Sequence, residues 1–253
     1  MLILGVIQAR MNSKRLPGKV LFHLLGKPVI GHIYERLTYS TKIAEICIST
    51  STNPSDNPIV EYATQAKIKY FRGSEENIIS RLLNTAKKFD ADVIVRVTGD
   101  DPLIDPKIID RLISLYLDNP SVDFVSNNKV RTFPIGLDVE VIPVKTLEKF
   151  FPISKDPIFL KYFIGMYIFE HPETYKSIGI ELDNPKLFRW TLDYPEDYEL
   201  MKQIYSKLYK PGSIFYMDDI FSLLEKNPDI IKINSMHNQK FSHLKYQREK
   251  KSD

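Results

Sequence analysis

The sequence predicts an α/β protein built on a mixed, mostly parallel β-sheet with helices on both faces. Short apolar, β-branched runs alternate with helix-period segments through the first half of the chain, which is the pattern of strand–helix–strand units. The 253 residues, 43% hydrophobic and 26% charged, suffice to bury a large core without disulfides or a structural metal.

Leu2–Ile7 is apolar throughout and reads as a buried strand, as do Ile46–Ser49, Val93–Val97 and Phe124–Val125 with their neighbours. Ile30, Ile33 and Leu37 recur at helical spacing after Pro28, which suits a first helical turn, and Pro58 opens a second helix around Ile59–Ala66. A third helix starts from Ser74 and Asn77, with Ile78, Leu82 and Ala86 along one face. Asp105 and Pro106 form an N-cap and first-turn pair for a fourth, which carries Ile109, Leu112 and Leu115. Beyond Asn127 the rhythm changes. Asp138–Ile142 alternates like a strand of a mixed sheet, residues 150–170 are rich in aromatics, and Leu187–Leu192 reads as one more strand. Glu196–Leu208 and Met217–Glu225 read as helices packing back on the sheet. With no internal repeat and no Gly/Ser linker, residues 1–240 are expected to form a single domain with an embedded subregion at about 128–180, followed by a polar tail, 241–253.

Lys plus Arg is 35 and Asp plus Glu is 32, a net charge of +3, and no basic stripe marks the first 240 residues, so nucleic acid is not an expected partner. No apolar run approaches the roughly 18 residues of a membrane span. Cys47 is the only cysteine, which excludes an intrachain disulfide and a cysteine-cluster zinc site and favours a reducing cytoplasm. No signal-peptide pattern is present, since the charges follow the first apolar stretch.

The most informative segment is Gln8-Ala9-Arg10-Met11-Asn12-Ser13-Lys14-Arg15-Leu16-Pro17-Gly18-Lys19, directly after the first strand. At the carboxyl edge of a parallel sheet its backbone amides can cradle an anion while Arg10, Arg15 and Lys19 neutralise it, and a triphosphate fits that description. Neither Gly-x-Gly-x-x-Gly nor Gly-x-x-x-x-Gly-Lys-Ser/Thr occurs, so dinucleotide dehydrogenases and P-loop hydrolases are not supported. Thr98-Gly99-Asp100-Asp101-Pro102 ends another predicted strand with carboxylates, and Mg²⁺ at a nucleotidyl-transfer site is usually held by one or two carboxylates plus substrate phosphates. Asp100 is the leading ligand; Asp101 and Asp105 read equally as turn or helix-cap residues. Asp193, at a third predicted strand end, reads as a further carboxylate or as a cap. The three ends converge only if their strands are neighbours. His23, His32 and His171 have no metal-ligand spacing, His237 and His243 lie in the polar tail, and Trp190 and the aromatics of 150–170 read as core or a dimer face.

These motifs together resemble the cytidylyltransferases of the spore coat polysaccharide group, relatives of the enzymes that activate 3-deoxy-manno-octulosonate and acylneuraminates as CMP sugars. The likeness is carried by Ile7–Arg10 with Arg15-Leu16-Pro17-Gly18-Lys19, Phe71-Arg72-Gly73-Ser74-Glu75-Glu76, Thr98-Gly99-Asp100, Gly136-Leu137-Asp138-Val139-Glu140 and Leu192-Asp193-Tyr194-Pro195-Glu196-Asp197. It implies a Rossmann-like nucleotidyltransferase fold and Mg²⁺-dependent transfer of CMP from CTP to a small polar acceptor, a sugar acid or related sugar, with release of pyrophosphate, for surface polysaccharide synthesis; the alternatives are a nucleotide-sugar glycosyltransferase, whose Asp-x-Asp motif is absent, and a non-catalytic nucleotide-binding protein. By the same likeness Gln8, Ala9, Arg10, Ser13, Arg15, Lys19, Arg72, Gly73, Ser74 and Asp100 bind the nucleotide. Arg10, Arg15, Lys19 and Asp100 act on the reacting phosphates, Asp138 and Glu140 face the acceptor, Asp100 and Asp193 bind metal, and the protein is a homodimer. The chain departs from the group at Lys161-Tyr162-Phe163-Ile164-Gly165, where an Arg-Glu-His-Val-Thr-like stretch is common, and at Asn77, where Asp is frequent.

Overall fold

The computed structural model of the protein describes residues 1–153, 164–186 and 188–237. The first strand is β1 (Ile3–Gln8), buried from Ile3 to Ile7. The chain leaves it through a long loop, a 3₁₀ turn at Lys19–Leu21 and a small hairpin of β2 (His23–Leu24) and β3 (Lys27–Pro28), then enters α1 (Val29–Leu37). There follow β4 (Glu45–Ser51), α2 (Asn57–Gln65), β5 (Lys69–Gly73), α3 (Ile78–Lys88), β6 (Val93–Thr98) and α4 (Pro106–Asp118). The second half holds β7 (Phe124–Ser126), β8 (Glu140–Pro143), α5 (Val144–Phe150), α6 (Ile164–Glu170), β9 (Ser177–Gly179), α7 (Pro195–Leu208), α8 (Met217–Lys226) and α9 (Pro228–Lys232).

Among the described residues seven strands pair into one sheet, in the order β5-β4-β1-β6-β8-β7-β9. β5, β4, β1 and β6 are parallel, β8 runs antiparallel to β6 and β7, and β7 is parallel to β9. Alternation along the strands divides the core between two faces. Ile7, Val95, Val97, Val125 and Val141 meet α1, α4 and α7 through Ile33, Ile109 and Ile204. Leu4, Val6, Ile94, Phe124 and Ile142 meet α3, α5 and α6 through Leu82, Leu147 and Ile168. Helices therefore cover both faces, as the sequence pattern requires. Among the described residues no helix is long and apolar enough to cross a membrane.

The departures from expectation have local causes. β5 is a half-exposed edge strand containing Lys69 and Arg72, so it lacks the apolar signal of an interior strand. The third helix begins at Ile78, with Asn77 Oδ1 accepting from Ser80 N at 2.8 Å, while Ser74 Oγ accepts from Asn77 N one turn earlier. The predicted strand at Asp138 starts only at Glu140, because the Asn127 side chain takes the Val139 N–H (2.9 Å) and donates to the Leu137 carbonyl (2.7 Å) in place of a ladder. Nor do Phe188–Leu192 form a strand: they make one parallel bridge, Ile135 to Arg189, and Leu187 of the predicted strand lies outside the described residues. Pro134 offers no donor there, and Gly136, at φ 100°, turns the chain away, its position so close that a Cβ would lie 2.4 Å from the Trp190 carbonyl carbon. The polar tail 241–253 and Lys161–Phe163 of the departing segment lie outside the described residues.

Candidate active site

β1 and β6 are paired along their length, Gln8 opposite Thr98, so their loops leave the same edge of the sheet side by side. Gly99 N donates to Gln8 O at 2.8 Å, and a Cβ at Gly99 would stand 2.9 Å from the Ala9 methyl. Only glycine lets the two loops close that far. The third segment reaches the same edge without being a strand: Leu192 N donates to Asp100 O at 2.8 Å, which sets Asp193 beside Asp100. The convergence expected of three neighbouring strands is thus achieved by two strands and one backbone hydrogen bond.

The β1 loop folds back on itself. Ser13 N and Gly18 N both donate to Met11 O at 2.9 Å, and Gly18 takes φ 74° to make the turn. Met11 N donates to Asp56 Oδ1 at 2.7 Å, and the same fully buried carboxylate accepts from Ser51 N at 3.2 Å. Asp56 has no signal in the sequence beyond preceding a helix, yet it ties this loop to the end of β4. Asp56→Ala leaves those donors without an acceptor and should cost about 3 kcal/mol by urea denaturation; a loss below about 0.5 kcal/mol would remove Asp56 from this role.

The loop delivers Lys19 to the centre of the site. Its ammonium, only 8% exposed, donates to Asp100 and, at 2.8 Å, to Asp193 Oδ1. Burial opposes that charge, but the two carboxylates outweigh it and raise the Lys19 pKa. Arg15 contacts Asp193 Oδ2 at 2.5 Å and Arg189 contacts it at 2.9 Å. Burial works against the Asp193 carboxylate, yet Arg15, Lys19 and Arg189 hold its pKa well below the usual range. Asp101 is different. It is buried, accepts from the Thr98 hydroxyl, and is pushed well above the usual carboxylate pKa by burial and by the Asp100 charge. Asp105 is a helix cap, accepting from Lys107 N at 2.8 Å and Met217 N at 2.7 Å.

Arg10 is exposed at the end of the first strand, and burial, followed by the Arg10 charge, lowers the pKa of Arg81 to about 10. Ser13 Oγ accepts from Leu16 N at 3.4 Å. Arg72 spends its guanidinium on the Ser51 and Asn53 carbonyls, each at 2.9 Å, so it braces the rim of β4 and β5. Gly73 lies against Arg81, where a Cβ would meet the Arg81 side chain at 2.9 Å, and the Ser74 carbonyl accepts from Arg81 Nη1 at 2.5 Å. On the other side Arg96 Nε donates to Glu140 Oε2 at 2.7 Å and its Nη1 to Gln8 Oε1 at 3.0 Å. Glu140 is therefore buried and paired, and Asp138 is paired with Arg131, at 2.8 Å through Nη2. Arg96 lies on the strand that runs into the Thr98–Pro102 segment and Asp197 closes the Leu192–Asp197 motif, whereas Arg131 and Arg189 carry no motif; Arg189, four residues before Asp193, is the one that spacing could have found. Of the histidines, His32 is a core residue whose pKa burial lowers to about 4, whereas His237, expected in the tail, stacks on Tyr194 with ring centroids 3.9 Å apart. Trp190 is core, stacked on Phe188.

A family model described as cytidylyltransferase matches residues 4–231. The spore coat polysaccharide biosynthesis protein SpsF of Bacillus subtilis is 30% identical over 234 residues, 90% of this chain and 95% of that protein. The solved structure of a cytidylyltransferase from Leptospira borgpetersenii serovar Hardjo-bovis matches with a TM-score of 0.86 at 34% identity, covering 96% of this chain and 100% of that one. A structure of CMP:2-keto-3-deoxy-manno-octonic acid synthetase complexed with CTP shares the fold, with a TM-score of 0.59 at 19% identity over 83% of this chain and 100% of that one. With a match that runs from β1 through α8 into α9, over a site of clustered cations and carboxylates, this chain belongs to the cytidylyltransferase family and is a nucleotidyltransferase.

Proposed function

We propose that the protein transfers CMP from CTP to a sugar acid or related polar acceptor, releasing pyrophosphate, in the synthesis of a surface polysaccharide. The observation that carries this is the meeting of Lys19, Arg15, Asp100 and Asp193 at one edge of the sheet. The CTP bound to the fold neighbour and the polysaccharide role of SpsF support the nucleotide and the setting. Residues 1–240 would act as one nucleotidyltransferase unit, with 128–180 serving the acceptor.

Asp100 and Asp193 suit Mg²⁺ in this structure. Both carboxylates already converge on a single cation, the Lys19 ammonium, so their oxygens face a common point. Among the described residues no group of three His, Cys, Asp or Glu gathers to hold a metal, so two carboxylates would need phosphate oxygens to complete the shell, as Mg²⁺ commonly does. Bound there, Mg²⁺ would neutralise charge on the reacting phosphates. Arg10, Arg15 and Lys19 would bind the triphosphate and aim the α-phosphorus at the acceptor. The acceptor oxygen forms a bond to that phosphorus as the bond to pyrophosphate breaks, a displacement served by positioning and charge neutralisation rather than by a covalent nucleophile. Asp138 would meet the acceptor, and Glu140 would contribute by fixing Arg96. Three buried polar atoms in this region, Ser126 Oγ, Asn128 Oδ1 and Arg131 Nε, have no hydrogen-bond partner among the described residues, which suits a hydroxyl-rich ligand.

Thermal unfolding with each nucleoside triphosphate and Mg²⁺ tests the reading. A ligand at 100 times its Kd adds about 2.7 kcal/mol, which for a chain of this size is a rise of about 5–10 °C in Tm. CTP should produce it and UTP, GTP and ATP should not; equal shifts from all four would end the cytidine assignment.

A further inference from the structure

Asp193 does not hold its own position. Its second oxygen is gripped by Arg189 Nη2 at 2.9 Å, and Arg189 is held in turn by Asp197, whose Oδ1 accepts from Arg189 Nε at 3.1 Å and whose Oδ2 accepts from Nη2 at 3.1 Å. Asp197 is fully buried and also caps the loop, its Oδ2 accepting from Asp193 N at 2.9 Å and Tyr194 N at 3.0 Å. The outer end of this chain of contacts is Asn234, beyond α9. Its amide nitrogen donates to Asp197 Oδ1 at 2.8 Å and to the Arg189 carbonyl at 2.9 Å, so one side chain fixes both the backbone of Arg189 and the partner of its guanidinium. Three residues later the His237 ring lies on Tyr194 with an interplanar angle of 5°, and its Nε2 hydrogen-bonds Glu196 Oε2 at 2.8 Å.

Both residues lie past the segment 4–231 that the family model matches, and neither touches Asp100, Lys19 or Asp193 through any hydrogen bond among the described residues. We propose that Asn234 and His237 form a clasp that positions Asp193 as a metal ligand, Asn234 through Asp197 and Arg189, and His237 through Tyr194. This rests on the metal-binding role given to Asp193 above. The physical reason is that a carboxylate binds a divalent ion only in a narrow range of orientations, and residues that orient a ligand typically contribute a factor of 10–100 to metal affinity.

The test titrates Mn²⁺ into the full chain with CTP present and no acceptor, reading free Mn²⁺ by electron paramagnetic resonance. Asn234→Ala should weaken Mn²⁺ binding about tenfold and His237→Ala severalfold, with CTP affinity in EDTA and the circular dichroism spectrum unchanged. Asp193→Asn, run in parallel, should weaken Mn²⁺ at least as much. If Asp193→Asn leaves Mn²⁺ affinity intact, the metal reading itself fails. If Asp193→Asn weakens binding while folded Asn234→Ala and His237→Ala do not, the clasp alone is overturned. It is overturned too if CTP affinity in EDTA drops by the same factor as Mn²⁺ affinity, because the clasp would then be general scaffolding. His237→Ala, at a partly exposed side chain, keeps the test open should Asn234→Ala fail to fold.

Discussion

Asp100→Asn is expected to lower turnover by about three orders of magnitude without loosening the fold, the scale on which preorganised charge at a reacting phosphate contributes to kcat. The side chain is only partly buried, and its hydrogen-bond partner is Lys19, which an amide oxygen can still accept from. What holds this stretch in place is backbone: Gly99 N to Gln8 O and Leu192 N to Asp100 O. The substitution therefore removes a charge and leaves the geometry. Asp101→Asn is the matched control. Its carboxyl is buried against Thr98 and pushed toward the neutral form, so an amide should change turnover by less than about tenfold. Steady-state rates of pyrophosphate release measure both. Near-normal turnover in Asp100→Asn, or a larger loss in Asp101→Asn, would reverse the assignment.

The motif singles out Asp100 as the leading ligand, but that Asp101 beside it is buried against Thr98 is visible only in the fold. The same limit runs through the site. Arg10, Arg15 and Lys19 are legible because they share one loop after an unmistakable strand, and Asp100 because it ends another. Asp56 and Asn234 are not, since each acts on a segment about forty residues away through contacts that only the fold creates. Arg72 shows what residue type alone leaves out: its guanidinium also donates to two backbone carbonyls, those of Ser51 and Asn53, at the rim of β4 and β5. Strands were legible where both faces are buried and failed where one residue decided the path, as Gly136 does between Ile135 and Trp190. β5 was missed for the opposite reason, an edge strand with too much charge to look like one.

Lys19→Met is expected to separate two tasks that this side chain holds together. Its ammonium stands between Asp100 and Asp193, the point where a divalent ion would sit, and it is also the innermost cation of the loop that would bind the triphosphate. The two positions are exclusive, so metal and nucleotide arriving together would have to draw the ammonium off the carboxylates and onto phosphate. Methionine fills similar space without charge. Two partly buried carboxylates then face each other with only Arg15 and Arg189 to compensate, both of them on Asp193. Without divalent ions the variant should be less stable by about 1–3 kcal/mol, the cost of leaving a buried charge poorly paired. Mn²⁺ should restore that stability and bind without CTP, which the unaltered protein should not allow, since there the ammonium competes for the same oxygens. Turnover should fall by about two to three orders of magnitude, because the phosphate contact is lost whatever the metal does. Denaturation with and without Mn²⁺, Mn²⁺ titration without nucleotide, and pyrophosphate release read the three effects independently. Loss of turnover with no gain in nucleotide-free Mn²⁺ binding would show that Lys19 serves only the phosphates. Unchanged turnover would remove it from the reaction altogether.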